Sequence, residues 1–226
     1  MEERIVYSYL PNTKEYSGTT IARQDPMDPD NFLLPAYTTI FQPPEVEENY
    51  VAVYNEDDET WTQEVDYRGS LMYNKETAEE SFIDFIGDIP DEFTLTPKPG
   101  PLYSWNEEED NWTPDLNKVK DYTKERLKEE YERILKEPID YNDNYFNTDI
   151  DSQIEIYGII SLGDQGEYKL YNTDYDLIDL SYQDIINIGE AIQQRNQTLK
   201  LQLDEKNKLV GKSKSIKTIQ KVGLVG

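Results

Sequence analysis

The side chains that could do chemistry are unevenly supplied in this chain. It carries 47 acidic and 22 basic residues but no histidine and no cysteine. Thiolate nucleophiles, thiolate metal sites and imidazole bases are therefore missing. Serine triads and zinc centres are largely excluded, and catalysis would have to run on carboxylates, lysine or tyrosine. One set of oxygen donors has the spacing of a calcium loop: Asp140, Asn142, Asn144 and Asp151 fall at its first, third, fifth and last ligand positions. Tyr145, however, stands where the sharp turn needs glycine, and Asp151 is shorter than the bidentate glutamate of that pattern. A turn-rich connection between two helices, with Asp149 as a cap, explains the same residues. No carboxylate pair stands out as a glycosidase couple, and no glycine-rich phosphate loop or GxSxG elbow occurs. The expectation is a protein without catalytic residues or cofactors.

The aromatic residues offer binding chemistry instead. Eighteen tyrosines and three tryptophans carry much of the apolar surface, and such rings pack while keeping a polar tip wet. The stretch YNEDDETWT, from Tyr54 to Thr62, returns as WNEEEDNWT, from Trp105 to Thr113. Pairing Tyr54 with Trp61 also pairs Asn55 with Thr60, which makes a hairpin with Asp57 and Asp58 at its tip. Trp105 and Trp112 close a loop of the same size, and Tyr9 and Tyr16 in YLPNTKEY repeat the spacing once more. Tyr54, Trp61, Trp105 and Trp112 are the candidate partner contacts. The alternative is that the pairs staple small β units that would be marginal alone.

These hairpins need a frame, and the sequence predicts an α+β chain in four segments. Residues 1–69 form a β-rich module of short Tyr/Val/Thr strands with a Pro-rich extended connection. Residues 70–113 are a spacer, with a short helix in NKETAEESFIDFIGDIP and then the second aromatic hairpin. Residues 114–205 form a mainly helical domain. Thr113 is the expected N-cap, Pro114 the first helical position, and an amphipathic helix runs over about 114–136 until Pro138 stops it. A second helix starts at Thr148 or Asp149 and ends near Gly163. A short inserted hairpin turns at Asn172 to Asp174, and a third helix opens on the capping box Ser181 to Asp184 and runs towards Leu203. Residues 206–226, with six lysines and no acid, are a basic tail that is either disordered or an arm docking on an acidic surface.

Net charge of -25 argues against nucleic acid, whose phosphates would be repelled. The start MEERIVYSYL has no signal-peptide pattern, and no apolar run approaches a membrane span, so no membrane partner and a cytoplasmic, soluble product are expected. The long first helix could also pair with its counterpart in a homo-oligomer.

Several short texts together resemble bacteriophage tail-fibre assembly proteins and related tail-associated proteins. They are the tyrosines at Tyr7 and Tyr9, PPEV at Pro43 to Val46, VAVYN at Val51 to Asn55, Trp61, and DYRG at Asp66 to Gly69. GPLYSWNEEEDNW looks like the aromatic hairpin such proteins place before their C-terminal domain. VKDYTKERLKEEYE, FNTDIDSQIEIYG and YNTDYDLIDLSYQDIINIGEAI are similar to a helical domain of unknown function found in many phage tail proteins. Where relatives often have His in the Asp-x-Arg-Gly stretch and Trp in the late hairpin, this chain has Tyr67 and Tyr171. The resemblance implies a non-enzymatic chaperone that binds a phage tail fibre or other tail protein in the host cytoplasm during assembly. The alternatives are a permanent part of the virion tail, such as a fibre adapter or receptor-binding tip, and a carbohydrate-binding module that stacks a glycan on the aromatics.

Overall fold

The computed structural model describes residues 3–224; the outermost two residues at each end of the predicted first module and basic tail lie outside it. The chain divides into two compact units, one of Met1–Pro99 with Trp105–Asn111, the other of Gly100–Ser104 with Trp112–Gly226.

The first unit is built from short antiparallel strands. Strands β1 (Glu3–Tyr9), β2 (Tyr16–Gln24), β3 (Phe32–Leu33) and β4 (Thr38–Thr39) form one sheet in the order β3-β2-β1-β4. A register shift between Ser8 and Tyr9 brings Tyr9 opposite Tyr16. Strands β5 (Tyr50–Asn55) and β6 (Thr60–Val65) form a hairpin in which Tyr54 faces Trp61 and Asn55 faces Thr60, as the pairing rule predicts. Strands β7 (Leu71–Asn74), β8 (Glu80–Phe82) and β9 (Phe93–Thr94) form a third sheet in the order β8-β7-β9.

The expected short helix between 70 and 113 is therefore absent, and the reason is local. Asn74 ends β7, and its side-chain oxygen accepts from the N–H groups of Glu76 and Thr77, both at 2.9 Å. Ala78 then takes φ of 63°, which a helix interior forbids. The helix-forming text KETAEE is thus spent on a turn. Within the same stretch, Ile83 is buried and Phe82 is exposed.

The same loop recurs. Lys14, Glu59, Ala78 and Asp110 all have positive φ at the end of a hairpin turn. Three of these turns begin with an aromatic residue and asparagine: Tyr54-Asn55, Tyr73-Asn74 and Trp105-Asn106. Asn55 accepts from Asp57 N–H at 2.9 Å and Asn106 from Glu108 N–H at 3.0 Å. Such Asx turns let a side chain stand in for backbone while the chain reverses. The third case opens the hairpin of β10 (Tyr103–Asn106) and β11 (Asn111–Pro114).

The second unit is mainly helical. Helix α1 (Leu116–Leu135) is capped by Asp115, whose carboxylate accepts from Asn117 N–H at 2.8 Å and Lys118 N–H at 3.1 Å. Thr113 and Pro114 lie in β11 instead, so the expected cap is corrected by two residues. Strands β12 (Ile139–Tyr141) and β13 (Asn144–Phe146) form a tight hairpin, followed by α2 (Ile150–Leu162), capped by Asp149 and closed at Gly163. Strands β14 (Tyr168–Tyr171) and β15 (Leu177–Leu180) form the inserted hairpin, which again opens on Tyr-Asn, with Asn172 accepting from Asp174 and Asp176 N–H. Helix α3 (Tyr182–Lys212) starts on the predicted capping box, and α4 (Ile216–Ile219) follows.

Helix α3 has 31 residues, about 46 Å at 1.5 Å per residue, and serves two apolar cores. Its first half packs Ile185, Ile188 and Ile192 with Phe146, Ile156, Leu170 and Leu180. Its far half packs Leu199 and Val210 with Val119, Leu127 and Ile134 of α1. Between them, the Arg195 guanidinium donates to the carbonyls of Leu135 at 3.0 Å and Glu137, and to Thr148 Oγ1 at 3.1 Å. A cation is thus placed on the free carbonyls that end α1.

Residues 206–224 are ordered against the second unit. Helix α3 extends through Lys212, and Ile219, Val222 and Leu224 are buried in the α1 core. Glu130 accepts from Leu224 N–H at 3.1 Å, Arg126 donates to the Val222 carbonyl, and Lys120 donates to the Gly211 carbonyl at 2.9 Å. Lysines alternate with apolar residues in this segment, so one side stays wet while the other completes the core.

Candidate functional site

In the first unit the strand pairings gather aromatic side chains from three segments. Tyr9 and Tyr54 lie 4.9 Å apart by ring centroids, Tyr54 and Trp61 5.1 Å, and Tyr16 and Trp61 5.8 Å. The polar tips of Tyr9, Tyr54 and Trp61 are engaged. Thr39 Oγ1 donates to Tyr54 Oη at 3.0 Å, Trp61 Nε1 donates to the Phe41 carbonyl at 2.8 Å, and Tyr9 Oη donates to Glu56 Oε1 at 2.9 Å. Burial, then the Glu56 carboxylate, push the Tyr9 hydroxyl up to about 12. Lys14 pairs with Glu56 at 2.8 Å and sits 5.5 Å over the Tyr9 ring. Its ammonium, followed by the Tyr9 hydroxyl, holds Glu56 below the usual carboxylate range.

A cleft of about 360 Å³ opens beside this cluster, walled by Leu34, Ile40, Phe41 and Tyr54 with Glu56 and Glu59 at its rim. Rings, a few carbonyl groups and two carboxylates can grip a chain or a flat apolar group. No proton-transfer pair is assembled there.

The DYRG text has a mechanical role that sequence reading missed. Arg68 reaches Glu15 through two nitrogens, at 3.2 and 2.6 Å, and also binds Asp66 at 2.8 and 2.7 Å. The first hairpin is thereby clamped to the end of β6. The guanidinium holds both Glu15 and Asp66 below their ordinary values, and the two carboxylates raise its own. Glu15 lies 53 positions from Arg68, so no local signal could reveal the pair. Also unforeseen is the outer face of the first sheet, where Ile5 lies opposite Ile21 with both exposed, and Leu33 is exposed nearby.

The four sequence-derived contact candidates are placed differently from one another. Tyr54 is only 7% exposed and Trp112 only 4%, so both act as packing residues in their units. Trp61 and Trp105 are half-buried. Trp61 joins the aromatic cluster, and Trp105 has Lys75 Nζ 4.9 Å from its ring centroid, a cation–π geometry. Trp105 belongs to the first unit and Trp112 to the second.

The calcium-loop spacing does not form a loop. Asp140 and Asn144 lie in β12 and β13, Asn142 and Asp143 form the tight turn with positive φ, and Asp151 is in the first turn of α2. Strand pairing of Asp140 with Tyr145 fixes the donors along a ribbon instead of around a point. Among the described residues there is no group of three or more His, Cys, Asp or Glu that could hold a metal ion, and no helix is long and apolar enough to cross a membrane.

Over 101 residues, 45% of this chain and 50% of the relative, the sequence is 32% identical to the tail fibre assembly protein of Escherichia phage lambda. Part of the chain is homologous to phage tail fibre assembly proteins. The prophage tail fibre assembly protein homolog TfaR of Escherichia coli strain K12 is 31% identical over 101 residues, 45% of this chain and 51% of that protein. The tail fibre assembly protein of Enterobacteria phage T4 is 32% identical over 114 residues, 49% of this chain and 55% of that protein. The chain spans about half the length of these curated relatives. No family model matches it, and no solved structure does.

Proposed function

We propose that this protein is a phage tail-fibre assembly chaperone, a non-enzymatic factor that binds a fibrous tail protein while it folds or assembles in the host cytoplasm. The observation that carries this reading is the homology to proteins named for tail fibre assembly in phages lambda and T4. The first unit supplies a compatible surface. Half-buried Trp61, the cleft lined by Leu34 and Phe41, and the exposed Ile5 and Ile21 pair give apolar anchors on rigid strands. Aromatic anchors dominate binding energy where a pocket surrounds them. Strong negative charge keeps such a helper soluble while its partner is sticky.

Co-expression with the tail-fibre gene encoded beside it, followed by size exclusion and by mass spectrometry of purified virions, tests the proposal. The expected result is a fibre that becomes soluble and trimeric only with this protein, which is missing from the virions. A fixed copy number in virions, with fibre solubility unchanged by this protein, would replace the chaperone reading with a structural one. Glycan binding by the full chain with no effect on the fibre would replace it with a carbohydrate-binding one.

A further inference from the structure

Helix α2 is apolar on two sides. One side, Ile156 with Ile159 and Ile160, packs on α3 and its neighbours, and the crossing is so close that a Cβ on Gly189 would lie 2.7 Å from Ile160 Cδ1. The other side carries Ile150, Ile154, Tyr157 and Ser161, spaced four, three and four residues apart, the alternation of a helix–helix seam. Ile150 is 76% exposed and Ile154 66%. Tyr157 packs its ring against α3 beside Gly189, its hydroxyl donating to the Gly189 carbonyl at 3.2 Å, so it closes one flank of this face.

The surroundings say what kind of chain would cover this face. At the Ile150 end a cleft of about 510 Å³ is walled by Leu135, Ile150 and Thr148 and rimmed by Glu132, Asp149 and Asp151, with Lys136 as its one cation. A second cleft beside it shares Asp149 and Asp151 and adds Glu155. Asp149 stays ionised, because Ser152 N–H holds its carboxyl below the usual range. An apolar stripe with an acidic border complements an apolar stripe with a basic border. A second copy of this chain is a poor occupant. Helix α2 has acidic residues and no basic one, and each copy carries a charge of -25.

We infer that the exposed face of α2, with Ile150 and Ile154 as anchors, is a docking groove for an amphipathic helical segment of another chain whose flanks carry lysine or arginine. The mode is a helix laid into an apolar groove. The function proposed above enters only in naming a tail protein as the source of that segment.

The test uses the full chain and a fluorescein-labelled peptide of about two heptads, leucines on the seam and lysines on the flanks, followed by anisotropy in about 0.15 M salt, where distant charges are screened. The controls are the same peptide with glutamates for lysines and one with glutamines for leucines. The leucine–lysine peptide should bind about tenfold or more tighter than either control, Ile154→Gln should weaken it about tenfold, and Ile154→Leu should restore it. Phe82→Gln, exposed in the other unit, should leave binding unchanged. Equal binding by the glutamine–lysine peptide, no binding, or insensitivity to Ile154→Gln overturns the inference. A concentration-dependent dimer in sedimentation that Ile154→Gln abolishes overturns it in favour of a second copy. Because no fibre is present, peptide binding that survives a failed fibre co-expression sinks the assembly reading alone. Fibre solubilisation that Ile154→Gln leaves intact sinks the α2 groove alone.

Discussion

The two units are wired in opposite ways. In the first, order is written in short text: an aromatic residue, an asparagine and a few acidic residues make a turn, and the turn fixes which residues face each other across the strands. In the second, each helix is announced by its own periodicity, but its place depends on side chains far away in sequence, such as Arg195 on the carbonyls of Leu135 and Glu137 or Glu130 on the N–H of Leu224. The first spreads its stability over many short-range pairings, with cross-links between one hairpin turn and another such as Lys14 to Glu56. The second concentrates its stability in a few shared positions.

Damage at a shared core position should therefore have the largest effect. Leu127 is fully buried between α1, the far half of α3 and the C-terminal segment, and Leu127→Ala should cost about 2–5 kcal/mol. Urea unfolding followed by the helical circular dichroism signal measures this, and a loss under about 1 kcal/mol would mean that this core is loosely closed. A turn residue in the first unit should matter less. Asn55→Ala removes the acceptor for Asp57 and Asp58 N–H and should cost about 1 kcal/mol, while the cross-strand proximity of Tyr54 and Trp61 persists in nuclear Overhauser spectra. Loss of that proximity would show that the turn, and not the aromatic pair, sets the register.

The smallest effect is pH-dependent and belongs to the clamp. Arg68 depresses Glu15 from its ordinary 4.5 and Asp66 from its ordinary 3.8. Stability from depressed carboxylates is fully present above the unfolded values and is lost as pH falls through the lower folded ones. The wild type should thus exceed Arg68→Gln in stability at pH 6, and the gap should start to close near pH 4.5 and vanish well below 3.8. A gap that stays constant through this range would assign Arg68 a packing role without ion pairing.

How much of this was legible in sequence follows the same division. The α+β character, the helix starting after Asp149, the Ser181 capping box and the facing of Tyr54 with Trp61 were readable because each rests on residues a few positions apart. KETAEE was misread as helix because glutamate and alanine favour one, while the asparagine before it commits the backbone to an Asx turn. Thr113 was misplaced as a cap because Pro114 suits a first helical turn and an edge strand equally. The lysine-rich tail hid Val222 and Leu224, whose burial depends on α1 nearly a hundred residues earlier. Of the candidate site, the aromatic pairs were visible, but the Glu15–Arg68 clamp and the depth at which Tyr54 and Trp112 are buried were not, since both arise only when distant strands meet.

The burial of Ile219, Val222 and Leu224 against α1 also sets an order of events during synthesis. Strands β1 to β6 can pair as soon as they emerge, because every partner lies within a few dozen residues. Helix α1 emerges early too, yet the core it belongs to lacks a wall until Leu224 has left the ribosome. During translation helix α1 therefore waits with Val119 and Leu127 uncovered, and the second unit closes last.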